Sequence, residues 1–351
     1  MDFFFSSPFG SMLPFLLFLL VCSFLLTRYY VTYARQKGFF DIPNDRSSHQ
    51  VPTPRGGGVV FVALFLMAVL WFFFTYPAER PLWFALGGGG ILVAAVGWLD
   101  DRWNLPARWR LSAHFLAVAF ALACLGGYPS LTWGTWTIPL RFWGIPLALV
   151  GGVWLINLFN FMDGIDGLAA SEAVLVSLGA ALVVLKNKSC VPLAFILLVL
   201  SAVVLGFLLL NWHPAKVFMG DVASGFLGYV FVVFVVFSEQ VNVLPFSSWL
   251  LLLSLFVADA TFTLVSRMLR REILFHAHRE HAYQVMVRSG KSHAVVTSAF
   301  VFMNVFLLVL VALLDGKGVL SILPIFWFCV LFSIWFMVRK SDQRLLKKPE
   351  R

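Results

Sequence analysis

The residues able to do chemistry in this chain are few, and they are bunched. Asp100 and Asp101 stand side by side in Gly97-Trp98-Leu99-Asp100-Asp101-Arg102-Trp103-Asn104. Two carboxylates directly after an apolar helix lie against its negative carbonyl end, so a cation should compensate them: Arg102 with Arg108, or a metal ion. A solvated helix end with Arg102 as counter-charge is the plainer alternative. Asn157, Asn160, Asp163 and Asp166 recur every three residues, which places them along one side of a helix end. Gly164 and Gly167 would let the backbone turn or a phosphate approach closely. Two carboxylates and two amides in one strip suit a sugar nucleotide and its metal, against the alternative of amides joining helices and acids capping the next one. Asp221, between Gly220 and Val222, reads either as a helix N-cap with Ser224 reaching back or as a hard oxygen ligand for magnesium and phosphate.

Two loops add basic groups. The segment 267–292 contains His276, His278, Arg279, Glu280 and His281. Zinc on His278 and His281 is disfavoured because no cysteine is near and the remaining ligands are acidic. A loop gripping a diphosphate is the better reading, with Arg279 making bidentate contacts and the imidazoles donating. The other loop runs from Phe39 to Gly58 with three prolines and three glycines, so it is ordered and non-helical. Arg46, His49 and Arg55 could floor an anion site there, or the segment could simply connect two spans.

The elements that must position these groups are membrane helices. Of 351 residues, 60% are hydrophobic and 12% charged, and the mean hydropathy is +0.89. A soluble domain has about 25% charge, and a disordered chain is defined by low hydrophobicity, so both are excluded. Stretches of about 20 apolar residues lie near 9–28, 58–75, 82–99, 111–128, 143–160, 168–186, 190–210, 222–238, 245–266, 293–314 and 318–338. The expectation is an all-α polytopic membrane protein of about 11 transmembrane helices. It forms one domain over residues 1–351, with longer loops at 29–57 and 267–292. The cysteines, Cys22, Cys124, Cys190 and Cys329, are scattered singly, so disulfide and zinc frameworks fail and small buried hydrophobes are expected.

Charge sets the expected orientation. No basic residue precedes the first span, whereas Arg28, Arg35 and Lys37 follow it, the reverse of a secretory signal. With the N-terminus outside and the C-terminus cytoplasmic, only Arg80, Arg141, Lys186, Lys188 and Lys317 of the 26 basic residues face outward, as the positive-inside rule demands. The net charge of +9 is thereby explained without nucleic acid, and it suits contact with anionic membrane lipids. The same sorting brings Asp41, Asp45, Asp100, Asp101, Asp163, Asp166, Asp221 and all seven histidines in or beside cytoplasmic loops. Glu172 and Asp259 lie inside spans near that face. A lipid-linked sugar transporter or flippase is the rival class, but it should place ionisable groups at the midplane, with broken-helix pairs and visible halves. None is evident.

Taken together the motifs resemble the polyprenyl-phosphate N-acetylhexosamine-1-phosphate transferases, which initiate O-antigen and enterobacterial common antigen and include, more distantly, the phospho-N-acetylmuramoyl-pentapeptide transferase. The resemblance rests on D-I-P-N-D-R-S-S-H-x-x-P-T-P-R-G-G-G at 41–58, D-D-R-W-N at 100–104 and N-L-F-N-F-M-D-G-I-D-G-L-A at 157–169. G-D-V-A-S-G at 220–225 and H-R-E-H-A-Y-Q at 278–284 complete it. It implies Mg2+, with Mn2+ as a substitute, held by Asp221 and Asp101. It implies a reaction centre of Asp100, Asp101, Asp163 and Asp166, and a substrate site including Asn157, Asn160, Arg46, His49, Arg55, His278, Arg279 and His281. The implied partners are a UDP-sugar donor, undecaprenyl phosphate as acceptor, and downstream glycosyltransferases. The implied location is the bacterial inner membrane, with the site facing the cytoplasm. Asn104, where the peptidoglycan branch tends to have Lys, and the lack of adjacent histidines argue against a muramoyl-pentapeptide substrate. The H-R-E-H form looks closer to the O-antigen initiators, with the N-acetylhexosamine itself open.

Overall fold

A computed structural model describes residues 8–43, 51–128, 130–272, 278–314 and 318–346. Its helices are α1 (Pro8–Lys37), α2 (Val59–Thr75), α3 (Pro77–Trp103), α4 (Ala107–Leu125), α5 (Gly144–Met162), α6 (Leu168–Asn187) and α7 (Val191–Asn211). They continue with α8 (Asp221–Gln240), α9 (Phe246–Leu252), α10 (Ser254–Leu269), α11 (Ala282–Arg288), α12 (His293–Leu314) and α13 (Leu323–Leu346). The span α3 opens with a 3-10 turn and carries a π-helical stretch at Ala85–Gly89. Among the described residues nine helices are long and apolar enough to cross a bilayer. The other two expected spans correspond to α2, which has 17 residues, and to the pair α9–α10. That pair is bent by 79°, so the broken helix that the sequence did not reveal is present.

The most buried helix is α8, and α3 and α5 pack along it. Helix α7 pairs with α6 and carries α1 and α2, while α12 lies on α6. Apolar side chains are no guide to the inside here, because lipid tolerates them as well as the core does; close packing depends on small residues instead. A Cβ at Gly97 would run into the Asp221 carbonyl, and one at Gly228 would lie 2.6 Å from Ile156 Cα. These glycines let α3 and α5 approach α8 and so bring Asp101 and Asn160 to its start. Cysteines obey the same rule: Cys329 is exposed and the other three are half-buried, which corrects the expectation of four buried thiols.

Two small hairpins, β1 (Phe40–Asp41) with β2 (Thr53–Pro54) and β3 (Ser130–Trp133) with β4 (Trp136–Pro139), complete the architecture. The first positions chemistry. The Pro54 carbonyl accepts the Phe218 N–H at 2.8 Å, and Gly57 and Gly58 donate to the carbonyls of Phe218 and Met219 at 3.0 Å. This backbone zipper, unavailable to a helix, lays Arg55 beside the start of α8.

Candidate functional site

Three carboxylates from distant parts of the chain meet around Arg55. The Asp101 carboxylate accepts the backbone N–H groups of Asp221 and Val222 at 2.9 and 3.0 Å, so it satisfies the positive N-terminal end of α8. Arg55 reaches Asp101 through Nε at 2.9 Å and Asp221 through Nη2 at 3.2 Å. Asn160 donates to Asp221 at 2.7 Å and to the Ser224 hydroxyl at 3.1 Å. Gly220, at φ +82°, lies where a Cβ would come within 2.6 Å of Asp101, which is why glycine precedes Asp221. The capping reading of Asp221 is thereby corrected: Gly220 is the cap position, Asp221 begins the helix, and the capping oxygens come from Asp101.

Asp163 follows directly on α5. Burial, and then the nearby Asp221, hold its carboxyl well above the usual carboxylate range, while Arg55 opposes them. Burial disfavours the Arg55 charge, yet Asp221 and Asp101 outweigh it and keep the guanidinium more basic than usual. One cation thus serves Asp101, Asp163 and Asp221.

Asp100, though adjacent to Asp101, has a separate environment. It is buried, bound to Arg110 at 2.6 Å and to the Leu105 N–H at 2.6 Å. The expected compensation by Arg102 with Arg108 is not found. Arg102 stacks over Trp98, 3.9 Å from the ring centroid, and Arg108 lies over Trp109. Successive helix residues point about 100° apart, so Arg102 is turned from both acids, and Arg55 and Arg110 take its place.

The strip of four polar residues also breaks. Asn157 and Asn160 share a face of α5, but the helix stops at Met162 and Asp166 turns into a second cleft of about 460 Å³, beside Thr53, Phe218 and Lys291. There it pairs with His213 at 2.7 Å and His293 at 3.2 Å and accepts the Ala215 N–H at 3.2 Å. Burial would raise its pKa, but the hydrogen bonds from His293, His213 and Ala215 prevail and hold it below the usual value. The ligating atoms of Asp166, His213 and His293 lie within 4.8 Å of one another, a nitrogen-rich set unlike the hard oxygen set around Arg55. Neither histidine was picked out in the sequence, because no local spacing links them to Asp166.

The histidine loop is packed against the end of α5. His281 stacks on Phe161 and Tyr283, with centroids 6.1 and 5.9 Å away, and His278 lies 5.0 Å from His281. Tyr283 donates to the Phe161 carbonyl at 2.8 Å, and Asp259 accepts the N–H groups of Ala282 and Tyr283 at 2.7 and 3.2 Å. Among the described residues His278 Nδ1 has no hydrogen-bond partner, and His281 Nδ1 lies 3.7 Å from an Asp259 carboxylate oxygen. Burial first, then His281 and Arg267, push His278 down to about 4, so its ring is neutral near pH 7. Arg279 belongs to the same loop, whereas Arg46 and His49 lie outside the described residues. His114 corrects the placement of all seven histidines in or beside loops, since it sits within α4.

The fold and site define a multi-pass helical membrane protein with an acid cluster at one end of the bundle. The glycosyl transferase family 4 pattern matches residues 83–239. A probable undecaprenyl-phosphate N-acetylglucosaminyl 1-phosphate transferase of Bacillus subtilis is 29% identical over 261 residues, 73% of this chain and 72% of that relative. An undecaprenyl-phosphate alpha-N-acetylglucosaminyl 1-phosphate transferase of Yersinia pestis is 30% identical over 265 residues, 72% of this chain and 70% of its own length. A phospho-N-acetylmuramoyl-pentapeptide-transferase of Chlamydia trachomatis is 36% identical over 203 residues, 50% and 58% respectively. The chain belongs to glycosyl transferase family 4.

Proposed function

We propose that the protein passes an N-acetylhexosamine 1-phosphate from a UDP-sugar to undecaprenyl phosphate, releasing UMP and leaving an undecaprenyl-diphospho-sugar. The observation that carries this reading is the convergence of Asp101 and Asp221 on Arg55 at the start of α8, with Asp163 near enough to feel the charges of all three. Relatives named as undecaprenyl-phosphate N-acetylglucosaminyl 1-phosphate transferases support it, with N-acetylglucosamine the leading sugar. In this reading the cluster faces the cytoplasm at the bacterial inner membrane, and the product initiates O-antigen or a related surface polysaccharide that downstream glycosyltransferases extend.

The donor set fits magnesium. Three carboxylates and an amide gather around one guanidinium, leaving negative charge that hard oxygen ligands offer to a small divalent ion. Asp221 and Asp101 would hold Mg2+, or Mn2+ in its place, with Asp163 and Asn160 beside them. Such an ion, when bound, neutralises phosphate charge. The protein groups do the rest by alignment, since one phosphoanhydride replaces another. The acceptor phosphate has a second pKa of about 6, so it arrives largely ionised and needs little base catalysis. Repulsion between unit charges at ~4 Å is about 4 kcal/mol at an effective dielectric near 20, and Arg55 offsets part of it. Asp100 acts through Arg110, which it orients toward the cluster. Asp166, His213 and His293 line the cleft on the donor side, and the loop of His278, Arg279 and His281 closes on the sugar or diphosphate.

The test is transfer of radiolabel from UDP-N-acetylhexosamines and UDP-N-acetylmuramoyl-pentapeptide into organic-extractable lipid, with UMP measured in parallel. Label from UDP-N-acetylglucosamine in the lipid and stoichiometric UMP are expected. UMP release without labelled lipid, or labelling only from the muramoyl donor, would refute the assignment.

A further inference from the structure

His114 has no part in the reaction as described so far. It lies on α4 seven residues past Ala107, about 10 Å along the helix, and is only partly buried. An ionisable side chain at that depth points to a function, because hydrocarbon gives its ring nitrogens nothing to bond. Its neighbours assign its tautomer. The Asn157 side-chain nitrogen donates to the Val153 carbonyl at 2.7 Å, which fixes the amide orientation, and its second hydrogen serves His114 Nδ1 at 3.4 Å. Nδ1 therefore accepts and Nε2 carries the hydrogen. No protein acceptor meets Nε2 among the described residues.

Arg110 lies one turn earlier on the same face of α4, bound to Asp100 and 37% exposed. Both side chains line one cavity with Asp100, Asn157, Asn160 and Asp221; its volume is about 20 Å³, room for a single oxygen-sized group. Donors thus climb the α4 face into the bilayer and end beside the acid cluster. A guanidinium edge with a free imidazole N–H matches a phosphate monoester, and the carboxylates behind them would stop that anion at the mouth.

We propose that His114 Nε2, together with the exposed edge of Arg110, receives the phosphate head of the lipid acceptor as it enters sideways from the bilayer. His114 is then the residue that selects a phosphate-terminated lipid. This rests on the transfer reaction proposed above, but lipid recognition can be read without turnover.

The experiment uses the full chain in nanodiscs with radiolabelled undecaprenyl phosphate or undecaprenol and no donor. The wild type is expected to retain the phosphate lipid about tenfold more tightly than the alcohol, the size of one charge-assisted hydrogen bond. His114→Leu should erase most of that preference. His114→Gln, whose amide reaches the Nε2 position, should restore it, and the shorter His114→Asn should not. In turnover, His114→Leu should raise the acceptor KM about tenfold, with donor KM and melting temperature unchanged. Equal affinity of the wild type for both lipids, unchanged preference in His114→Leu, or a change in donor KM alone overturns the assignment. Should His114→Leu fail to fold, equal lipid preference in the Gln and Asn variants overturns it. A His114-dependent preference without any sugar transfer would refute the proposed reaction and leave the lipid port standing.

Discussion

Two charge clusters lie near the end of α5 and are wired in opposite senses. Around Arg55, one cation faces Asp101, Asp163 and Asp221. Around Glu280, three cations converge on one acid: Arg267 at 2.5 Å, Arg339 at 2.6 Å, and Arg270, with Glu272 sharing Arg267 and Arg270. The second cluster ties α10, the histidine loop and α13 together, with positive charge in excess. The first is short of positive charge and therefore has capacity left for a cation. Counting ion pairs alone would rank them alike; the sign of the imbalance separates a fastening from a site.

The strongest way to break this contrast is to remove one acid from the under-neutralised cluster. Asp221→Asn should lower transfer by about 100-fold or more, in line with loss of a preorganised electrostatic group, and flatten the magnesium dependence in nanodisc assays. Near-normal turnover with the same metal titration would dissolve the metal assignment. Asp101→Asn should reduce transfer as severely and also lower the melting temperature, since Asp101 caps α8 with two N–H bonds.

Removing the bridging cation sharpens the comparison. Arg55→Gln should cut transfer by at least about tenfold and make added Mg2+ a stronger thermal stabiliser than in the wild type, because Asp101 and Asp221 then lose the guanidinium that bridges them. A reduced Mg2+ effect on melting would count against a shared acid cluster.

In the fastening the expected damage falls on stability. Glu280→Gln should cost about 1–3 kcal/mol, the range for hydrogen bonds to charged groups, read from denaturation in detergent, with a much smaller effect on transfer per folded molecule. Burial would raise the Glu280 pKa, but Arg270 and Arg339 prevail and hold it at about 2. Its contribution is therefore present above the ordinary value of 4.5 and is lost as pH falls through about 2. His278 has the opposite reference form. Its folded-state value of about 4 lies below 6.5, so the unfolded chain binds the extra proton first and stability drops as pH falls from 6.5 to 4. His278→Gln should flatten that window in a pH series of melting curves. The smallest effect is expected for Ser224→Ala, which removes only the 3.1 Å bond from Asn160. It should cost about 1 kcal/mol, with transfer within a few-fold of wild type.

Much of the site was legible before folding. Asp101, Asp163, Asp221, Asn160 and Arg55 stand out because polar residues in apolar sequence have few innocuous roles. Chain proximity points to Arg102 as the partner of Asp100, yet Arg110 takes that place, because helical rotation turns the closer side chain away. His213, His293 and His114 carry no signature of spacing, and three-residue spacing does not place Asp166 with Asn157 and Asn160, because the helix ends at Met162 and Asp166 turns to His213 and His293. The bend between α9 and α10 was hidden for another reason: an apolar run reads the same straight or broken.

Composition alone dictated a polytopic helical protein, because a bilayer requires backbone hydrogen bonds to close within each apolar segment. It also confined the chemistry to a handful of acids, amides and basic groups. Which acid meets which cation was decided only in three dimensions. Helix rotation, the close approach at Gly97 and Gly228, and the backbone zipper that delivers Arg55 are long-range geometric facts, and one-dimensional spacing does not encode them.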